Sequence, residues 1–436
     1  MLVKIDGVIS PMKNQHFSWM SHVWKKVRAL AMQAILRFPA PLVPLRRWLR
    51  RWLIPHKITL CRAEGVVKGG DETLSLLCGA EDGNKNYLHQ LMFNGPARMT
   101  GLGRVRLRDV FCKAPAPEHQ ADLVLLETTE PLHEWRDDGS WFFIPTWVAG
   151  EVDLPVGEKW RNNDTFQTIR RRIRKHGFEY VVTRDEERFK DFYYNMYMPH
   201  ATKTYGSTAR CHSYDEMWVK RKDCDLLLIQ KKNQPALFLA AQIITYEPAG
   251  PRLWSVGVRD GNKEYVREGA LASLYHFSFE HLLKKGFTKV NMGWSRPFLK
   301  DGVLQFKKRL SQSVTAGRWQ GFSLKVSSLT PAVKSFLVNN PFIFLANGRL
   351  HGAVFADTLL TLEKIMELDR DFFHPGMVRL CIYYFELNRS LEAACLPPEL
   401  AARLELRPAT ELVSGEPRKR VAPDAGDAAH VESGLN

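Results

Sequence analysis

The feature that most constrains the fold is the order of apolar segments in the third quarter of the chain. Apolar runs with the character of β-strands recur there, each bounded by turn-forming residues; they cover residues 225–230, 236–246, 253–258 and 288–293. A helical pattern at 269–285 lies between the third and fourth runs. This β-β-β-α-β order predicts a sheet with a helix packed on one face.

A polar segment, residues 259–268, leads from the third strand into this helix. The free amides at the amino end of a helix attract anionic groups such as phosphates. Gly269 and Ala270 permit close approach to these amides, Arg267 adds a cation, and Val258 ends the preceding strand. We therefore expect these four residues to bind the phosphate end of a soluble donor.

The next block of sequence, from Val290 to Arg309, joins a strand containing Gly293 to an Asp301-Gly302 turn and a Phe306-Lys307 pair. This block resembles the end of the acyltransferase core in GNAT and FemAB-like bacterial proteins. Residues 143–148 and 192–199 are similar to the same group. The resemblance covers roughly residues 140 to 325.

The resemblance implies a GNAT-type α/β (α+β) core that transfers an acyl group from a thioester or aminoacyl ester to an amine. It implies acyl-CoA or acetyl-CoA as the donor and no metal, with an acyl carrier protein and an aminoacyl-tRNA as alternative donors. One departure is that Val266 and Leu271 stand where the acetyl-CoA enzymes have Gln or Arg and Gly or Ala around Gly269.

The resemblance also implies which residues carry the reaction. Lys307 is expected to be a cation that faces donor phosphate or developing negative charge, and Asp301 a base or a contact for the acceptor amine. The other residues implied at the reacting end are Ser295 and Arg296, with Tyr197, His200 and Tyr205 on the acceptor side. Without the resemblance, Lys307 fits a solvated helix face and Asp301 a helix cap.

The first sixty residues carry a net charge of +10 out of +15 for the whole chain. Residues 17–38 have an amphipathic helical pattern, and residues 44–55 pair arginines with tryptophans. Two interpretations stand: a peripheral anchor on an anionic membrane, or a helix pair packed on the main domain. With no apolar run of eighteen residues, the expected location is the cytoplasm or the inner membrane face.

A second basic cluster occupies a predicted helix that begins with an Asp164-Gln167 capping box and ends at Gly177. Residues 170–175 of this helix include four arginines and a lysine. Such a cluster fits phosphate or tRNA contacts. A solvated helix face is the favoured interpretation.

These patterns divide the chain into five parts. They are a basic segment (1–60), an α/β subdomain without a catalytic constellation (61–160), the acyltransferase core (161–326), a helical extension (327–413) and a disordered tail (414–436). A structural subdomain that supports the core is the favoured interpretation of 61–160, and the resemblance allows a degenerate first GNAT lobe as the alternative. The predicted helices of the extension are near residues 331–338, 355–368 and 377–388.

Three functions are compatible with the sequence. The first is an N-acyltransferase acting on a small-molecule or lipid-linked amine, such as an envelope or polysaccharide precursor. The second is a tRNA-dependent aminoacyltransferase, which the positive charge permits. The third is a non-catalytic scaffold with the same fold, which the imperfect phosphate loop suggests. We rank the acyl-CoA enzyme first.

Overall fold

A computed structural model of the protein describes residues 57–112, 120–136, 139–206, 209, 211–317, 320–387 and 396–413. Most of the predicted basic segment 1–60 and the predicted tail 414–436 lie outside these residues. The described chain divides into a small unit, residues 57–58 and 104–112, and a large unit that contains the rest. Both sheets described below are built mainly from the large unit.

The strands are numbered in chain order. They are β1 (Lys57–Val66), β2 (Thr73–Gly79), β3 (Arg98–Arg106), β4 (Leu123–Thr129), β5 (Trp141–Pro145), β6 (Val148–Asp153), β7 (Phe178–Thr183), β8 (Cys224–Lys231), β9 (Gln234–Glu247), β10 (Gly250–Val258), β11 (Lys289–Ser295), β12 (Ser313–Ala316), β13 (Gln320–Val326), β14 (Phe342–Ala346), β15 (Arg349–Ala356), β16 (Met377–Tyr384) and β17 (Leu404–Pro408).

The α-helices are numbered in the same way. They are α1 (Asp82–Met92), α2 (Leu107–Cys112), α3 (Glu130–Arg136), α4 (Glu158–Arg161), α5 (Asp164–His176), α6 (Glu186–Asp191), α7 (Met198–Tyr205), α8 (Tyr214–Lys220), α9 (Lys263–Glu268), α10 (Ala270–Lys284), α11 (Gly302–Lys308), α12 (Pro331–Asn339), α13 (Leu362–Phe372) and α14 (Pro398–Ala401). A π-helical turn, Phe192–Tyr197, joins α6 to α7.

One sheet has seven strands among the described residues, in the order β12-β6-β11-β10-β9-β8-β7. Strands β7 to β10 pair in antiparallel succession, whereas β10 and β11 are parallel because α10 connects them across one face. Helices α5 and α10 pack Phe166, Ile169, Leu274 and Leu282 into the core of this sheet. The β-β-β-α-β order predicted from the sequence is confirmed.

The other sheet has ten described strands, in the order β17-β16-β15-β14-β5-β13-β4-β2-β1-β3. Its core is rich in aromatic side chains: the Phe142 ring lies 5.1 Å from that of Phe342 and 5.9 Å from that of Tyr383. With helices packed on extensive sheets, the predicted α/β class is confirmed.

The chain passes between the sheets at Thr146-Trp147, where β5 ends and β6 begins, and again between β12 and β13. Strand β6 pairs with β11 and β12, so the seven-stranded sheet begins before residue 160. Strands β14 to β17 extend the ten-stranded sheet beyond residue 326. The passages between the sheets therefore differ from the segment boundaries predicted at 160 and 326.

Of the helices predicted in the extension, the one at 377–388 is wrong and the one at 355–368 is confirmed only from Leu362 onward. Residues 355–356 end strand β15, the helix begins at Leu362, and residues 377–384 form strand β16. Residues 353–356 and 380–384 are apolar and mostly buried, and an apolar run without alternation does not distinguish a buried strand from a helix. The helix predicted at 331–338 is confirmed as α12.

Two predictions, one about the start of α5 and one about residues 259–268, also need correction. The side chain that caps α5 is Asn163, which accepts from the Phe166 N–H at 2.8 Å, and not Asp164. The polar segment 259–268 is mostly helical, because Asn262 caps α9 by accepting from the Glu264 N–H. Among the described residues no helix is long and apolar enough to cross a membrane.

Candidate active site

The site begins at a split between the parallel strands β10 and β11. The two strands pair at Arg252 and Asn291 and show no further pairing among the described residues. Each strand carries an irregularity next to the split, between Leu253 and Ser255 on β10 and between Asn291 and Trp294 on β11. Beyond this pair, the facing edges of the two strands are not joined by the regular ladder of a parallel sheet.

Gly293 is the residue that allows this irregularity. Its φ is +75°, and a Cβ there would collide with the carbonyl oxygen of Leu253. The Gly293 N–H donates to the Asn291 Oδ1 at 2.8 Å. The bulge therefore depends on a residue without a side chain.

We expect Gly293→Ala to destabilise the protein by about 3 kcal/mol or more, because left-handed strain and a backbone clash add together. Chemical denaturation measures this change. Gly302→Ala is the matched control, because a Cβ at Gly302 meets nothing within 4 Å. Equal stability of the two variants would contradict this account of the bulge.

Lys307 reaches the bulge from α11. Its side chain is 4% exposed, and Nζ donates to the carbonyl oxygens of Gly293 at 2.8 Å and Trp294 at 3.0 Å. Burial lowers the pKa of Lys307 to about 7, and the charge of Asp301 opposes this fall. Lys307 is thus a buried amine at the split, and the solvated helix face is excluded.

Asp301 caps α11, accepting from the Leu304 N–H at 2.9 Å. Burial raises the pKa of Asp301, against the effects of its backbone hydrogen bonds and of Lys307 and Arg296. The negative charge of Asp301 in turn raises the pKa of Tyr87 and Tyr205, although burial is the larger cause for both. Asp301 therefore combines the helix-cap role with a position in the site.

Arg296 follows β11 and is 8% exposed. Its guanidinium lies between two aromatic rings, 3.9 Å from the Tyr87 centroid and 4.1 Å from the Trp147 centroid. Because both faces of the cation are covered, the two rings fix its plane. Ser295 is also buried, and its hydroxyl has no hydrogen-bond partner among the described residues.

The candidate acceptor residues differ in their surroundings. The Tyr197 hydroxyl accepts from the His212 N–H at 3.0 Å, and burial raises the pKa of Tyr197 to about 12. His200 has a pKa lowered by burial. Tyr205 is half exposed and is the acceptor candidate whose pKa responds to Asp301. The structure thus connects Tyr205 to the site electrostatically, while Tyr197 has a backbone partner.

The four candidate donor residues are less concentrated than the sequence suggested. Val258 and Ala270 are buried core residues, and Arg267 forms an exposed pair with Glu264 at 2.9 Å. Gly269 joins α9 to α10 with φ +101°. A Cβ on Gly269 would lie 2.7 Å from Arg172 Cδ, so this side chain of α5 covers the start of α10.

Sequence reasoning missed Tyr87, Trp147, Tyr275 and Arg172. Tyr275 lies on α10, where its ring is 5.2 Å from that of Phe306 and its pKa responds to Tyr205. Tyr87 lies on α1, more than two hundred residues before Arg296 in the sequence. No local motif carries that information. Arg172 and Trp147 were part of visible signals, the arginine cluster on α5 and the block 143–148, but neither signal pointed to these side chains.

No group of His, Cys, Asp and Glu suited to a metal ion occurs within the described ranges. No protein-family model and no curated protein matches the chain. Solved structures do match: L-PGS from Bacillus licheniformis has 13% identity and a TM-score of 0.31, with 64% of this chain and 88% of that chain covered.

Two further matches have the same character. FemX has 10% identity and a TM-score of 0.30, covering 60% of this chain and 83% of its own. A GCN5-related N-acetyltransferase from Sphaerobacter thermophilus has 13% identity and a TM-score of 0.28, covering 48% and 62%. Likeness at this level carries no weight for the activity, the donor or the acceptor.

Proposed function

We propose that the protein is an N-acyltransferase that moves an acyl group from an acyl-CoA or similar thioester to an amine. The observation that carries the proposal is Lys307, a buried amine held at the split between β10 and β11, on the helix that Asp301 caps. Acyl transfer needs a donor of hydrogen bonds for the developing oxyanion and a base for the amine proton. These two side chains supply both.

The donor is proposed to lie along the split. An extended amide-bearing arm, such as that of CoA, can lie along β10 and β11 after Arg252 and Asn291, where the two strands do not pair with each other. It can form hydrogen bonds with the backbone of these strands there. Its phosphates then reach the start of α10, where Arg172 covers Gly269. A helix amino terminus and an arginine both favour an anion.

The acceptor amine is proposed to approach from the side of Asp301, Tyr87 and Tyr205. The amine nitrogen forms a bond to the thioester carbonyl carbon, the carbon–sulfur bond breaks, and the thiolate leaves. The proton lost by the amine passes to Asp301, whose basicity burial increases. Two N–H groups of protonated Lys307 hold the bulge carbonyls, so the third is available to the oxyanion.

The donor proposal predicts that Arg172→Gln weakens CoA binding by about tenfold, because one charge-assisted contact is lost. Isothermal titration calorimetry with CoA and with acetyl-CoA measures this. Arg171→Gln is the control, since it removes an exposed arginine from the next position of the same helix. Gly269→Val is a poor probe, because it strains the backbone and displaces Arg172.

A tRNA-dependent transfer is the second candidate. The observation that favours it is the exposed basic face of α5, which includes Arg171, Arg172 and Arg174. Absence of binding of CoA and acetyl-CoA to the wild-type protein, together with transfer from charged tRNA, would select this function. An intact fold with full cellular function in Lys307→Ala and Asp301→Ala would instead select a scaffold.

A further inference from the structure

The side of α11 that carries Lys308 contacts the carboxyl end of α13. Lys308 Nζ donates to the carbonyl oxygens of Arg370 at 2.9 Å and Asp371 at 2.7 Å. Gln305, one turn earlier on α11, donates from Nε2 to the same Asp371 carbonyl at 3.3 Å. The last carbonyls of a helix have no partner within it, so these side chains complete α13.

The chain just beyond α11 and α13 extends this contact. The Ser311 hydroxyl lies 3.1 Å from His374 Nε2, and the Val314 N–H donates to the Pro375 carbonyl at 2.9 Å. Lys308 itself is largely removed from solvent, and burial lowers its pKa to about 8 against the effect of Asp371. A lysine held in this way is a fixed connection between two helices and not a solvated surface charge.

We propose that Lys308 is a positioning residue for Lys307. Its ammonium fixes α11 against the end of α13, and this keeps the adjacent Lys307 Nζ at the carbonyls of Gly293 and Trp294. Consecutive residues of a helix project about 100° apart, so the two lysines hold α11 from different sides. The inference rests on the proposed function, since Lys307 is the group that it positions.

The geometry explains why a small shift would matter. α11 has seven residues, and the Lys307 Nζ bond to the Gly293 carbonyl oxygen is one of its contacts with β11. Gln305 Nε2 also donates to the Leu299 carbonyl oxygen at 2.5 Å, and Leu304 is buried. Loss of the contact to α13 lets the helix move, and a displacement of about 1 Å at a reacting group can cost on the order of 100-fold in rate. The expected loss is smaller, because Gln305 and the Asp301 cap remain.

The test compares Lys308→Met with Lys308→Arg, which retains the charge and the donors. We expect Lys308→Met to raise the amide hydrogen-exchange rate of residues 302–308 and to lower kcat by about tenfold, with the KM for acyl-CoA within about twofold. Lys308→Arg should restore both. Lys364→Met is the control, because Lys364 lies on α13 and pairs only with the partly exposed Glu367 among the contacts described here.

Unchanged exchange and unchanged kcat in folded Lys308→Met would overturn the proposal, as would an equal loss of kcat in Lys308→Arg. If Lys308→Met does not fold, Lys308→Gln tests the same contact, because it removes the charge and keeps a polar side chain; the exchange rate of residues 302–308 should rise by about threefold. Absence of acyl transfer in the wild type would count against the proposed function alone. The exchange measurement would still decide whether Lys308 fixes α11.

Discussion

Lys307→Met is expected to lower kcat on the order of 100-fold while the donor still binds, because the variant loses the N–H that faces the developing oxyanion. Lys307 is 4% exposed, so bulk water has little access to the position that its ammonium occupies. Single-turnover measurements with saturating acyl-CoA separate this loss from an effect on binding. A loss that appears in KM alone would place Lys307 in donor binding instead.

The buried position of Lys307 also predicts a dependence of stability on pH. Burial lowers its pKa to about 7, whereas an unfolded lysine titrates near pH 10.4. Between these values the unfolded state binds the extra proton, so the contribution of Lys307 to stability rises with pH and is lost as pH falls toward 7. The difference in unfolding free energy between wild type and Lys307→Met should show this slope between about pH 7 and 10.

Asp225→Ala is expected to produce the largest loss of stability, about 3 to 5 kcal/mol, because it leaves several polar groups without their shared acceptor. Asp225 is 3% exposed. Its carboxylate lies within hydrogen-bonding distance of four side chains: Arg184 Nε at 2.9 Å, Tyr246 Oη at 2.5 Å, His281 Nε2 at 2.9 Å and Lys285 Nζ at 2.7 Å. The network joins β8 to β9, to the end of β7 and to α10.

The control for Asp225 is Glu179→Gln, since the Glu179–Lys232 pair at 3.5 Å is largely exposed and should contribute less than about 1 kcal/mol. Burial alone would raise the pKa of Asp225, but hydrogen bonds from His281, Lys285 and Tyr246 outweigh it and hold the pKa well below its usual range. Its stabilisation is therefore present above about pH 4 and is lost as pH falls toward the native pKa. Equal acid sensitivity of wild type and Asp225→Ala would contradict this.

The local pattern of apolar and turn-forming residues was sufficient to predict much of the seven-stranded sheet. Strands β8, β9, β10 and β11 alternate with turns and with α10 in the order read from the sequence. The same reasoning failed for β16 and for the end of β15, because continuous apolar runs fit a buried strand and a buried helix equally. Strands β14 to β17 join the ten-stranded sheet through contacts between residues distant in sequence, and periodicity gives no signal for such contacts.

The site was partly predictable for a similar reason. Lys307, Asp301, Arg296 and Ser295 lie within thirteen residues of one another, so one recognised block brought them together. Tyr87 and Trp147 reach the same place through the packing of other elements. At the donor end, the expected loop is the helix α9, because the Asn262 cap outweighs the polar composition that suggested a loop.

Acyl transfer itself tests the central claim most directly. Purified wild-type protein and Lys307→Met are incubated with acetyl-CoA and longer acyl-CoAs in the presence of amino sugars and amino acids. Release of free CoA thiol is followed, and the products are identified by mass spectrometry. The account predicts an N-acylated product with thiol release in the wild type, reduced on the order of 100-fold in Lys307→Met. Equal rates of amine acylation in the two proteins would contradict it.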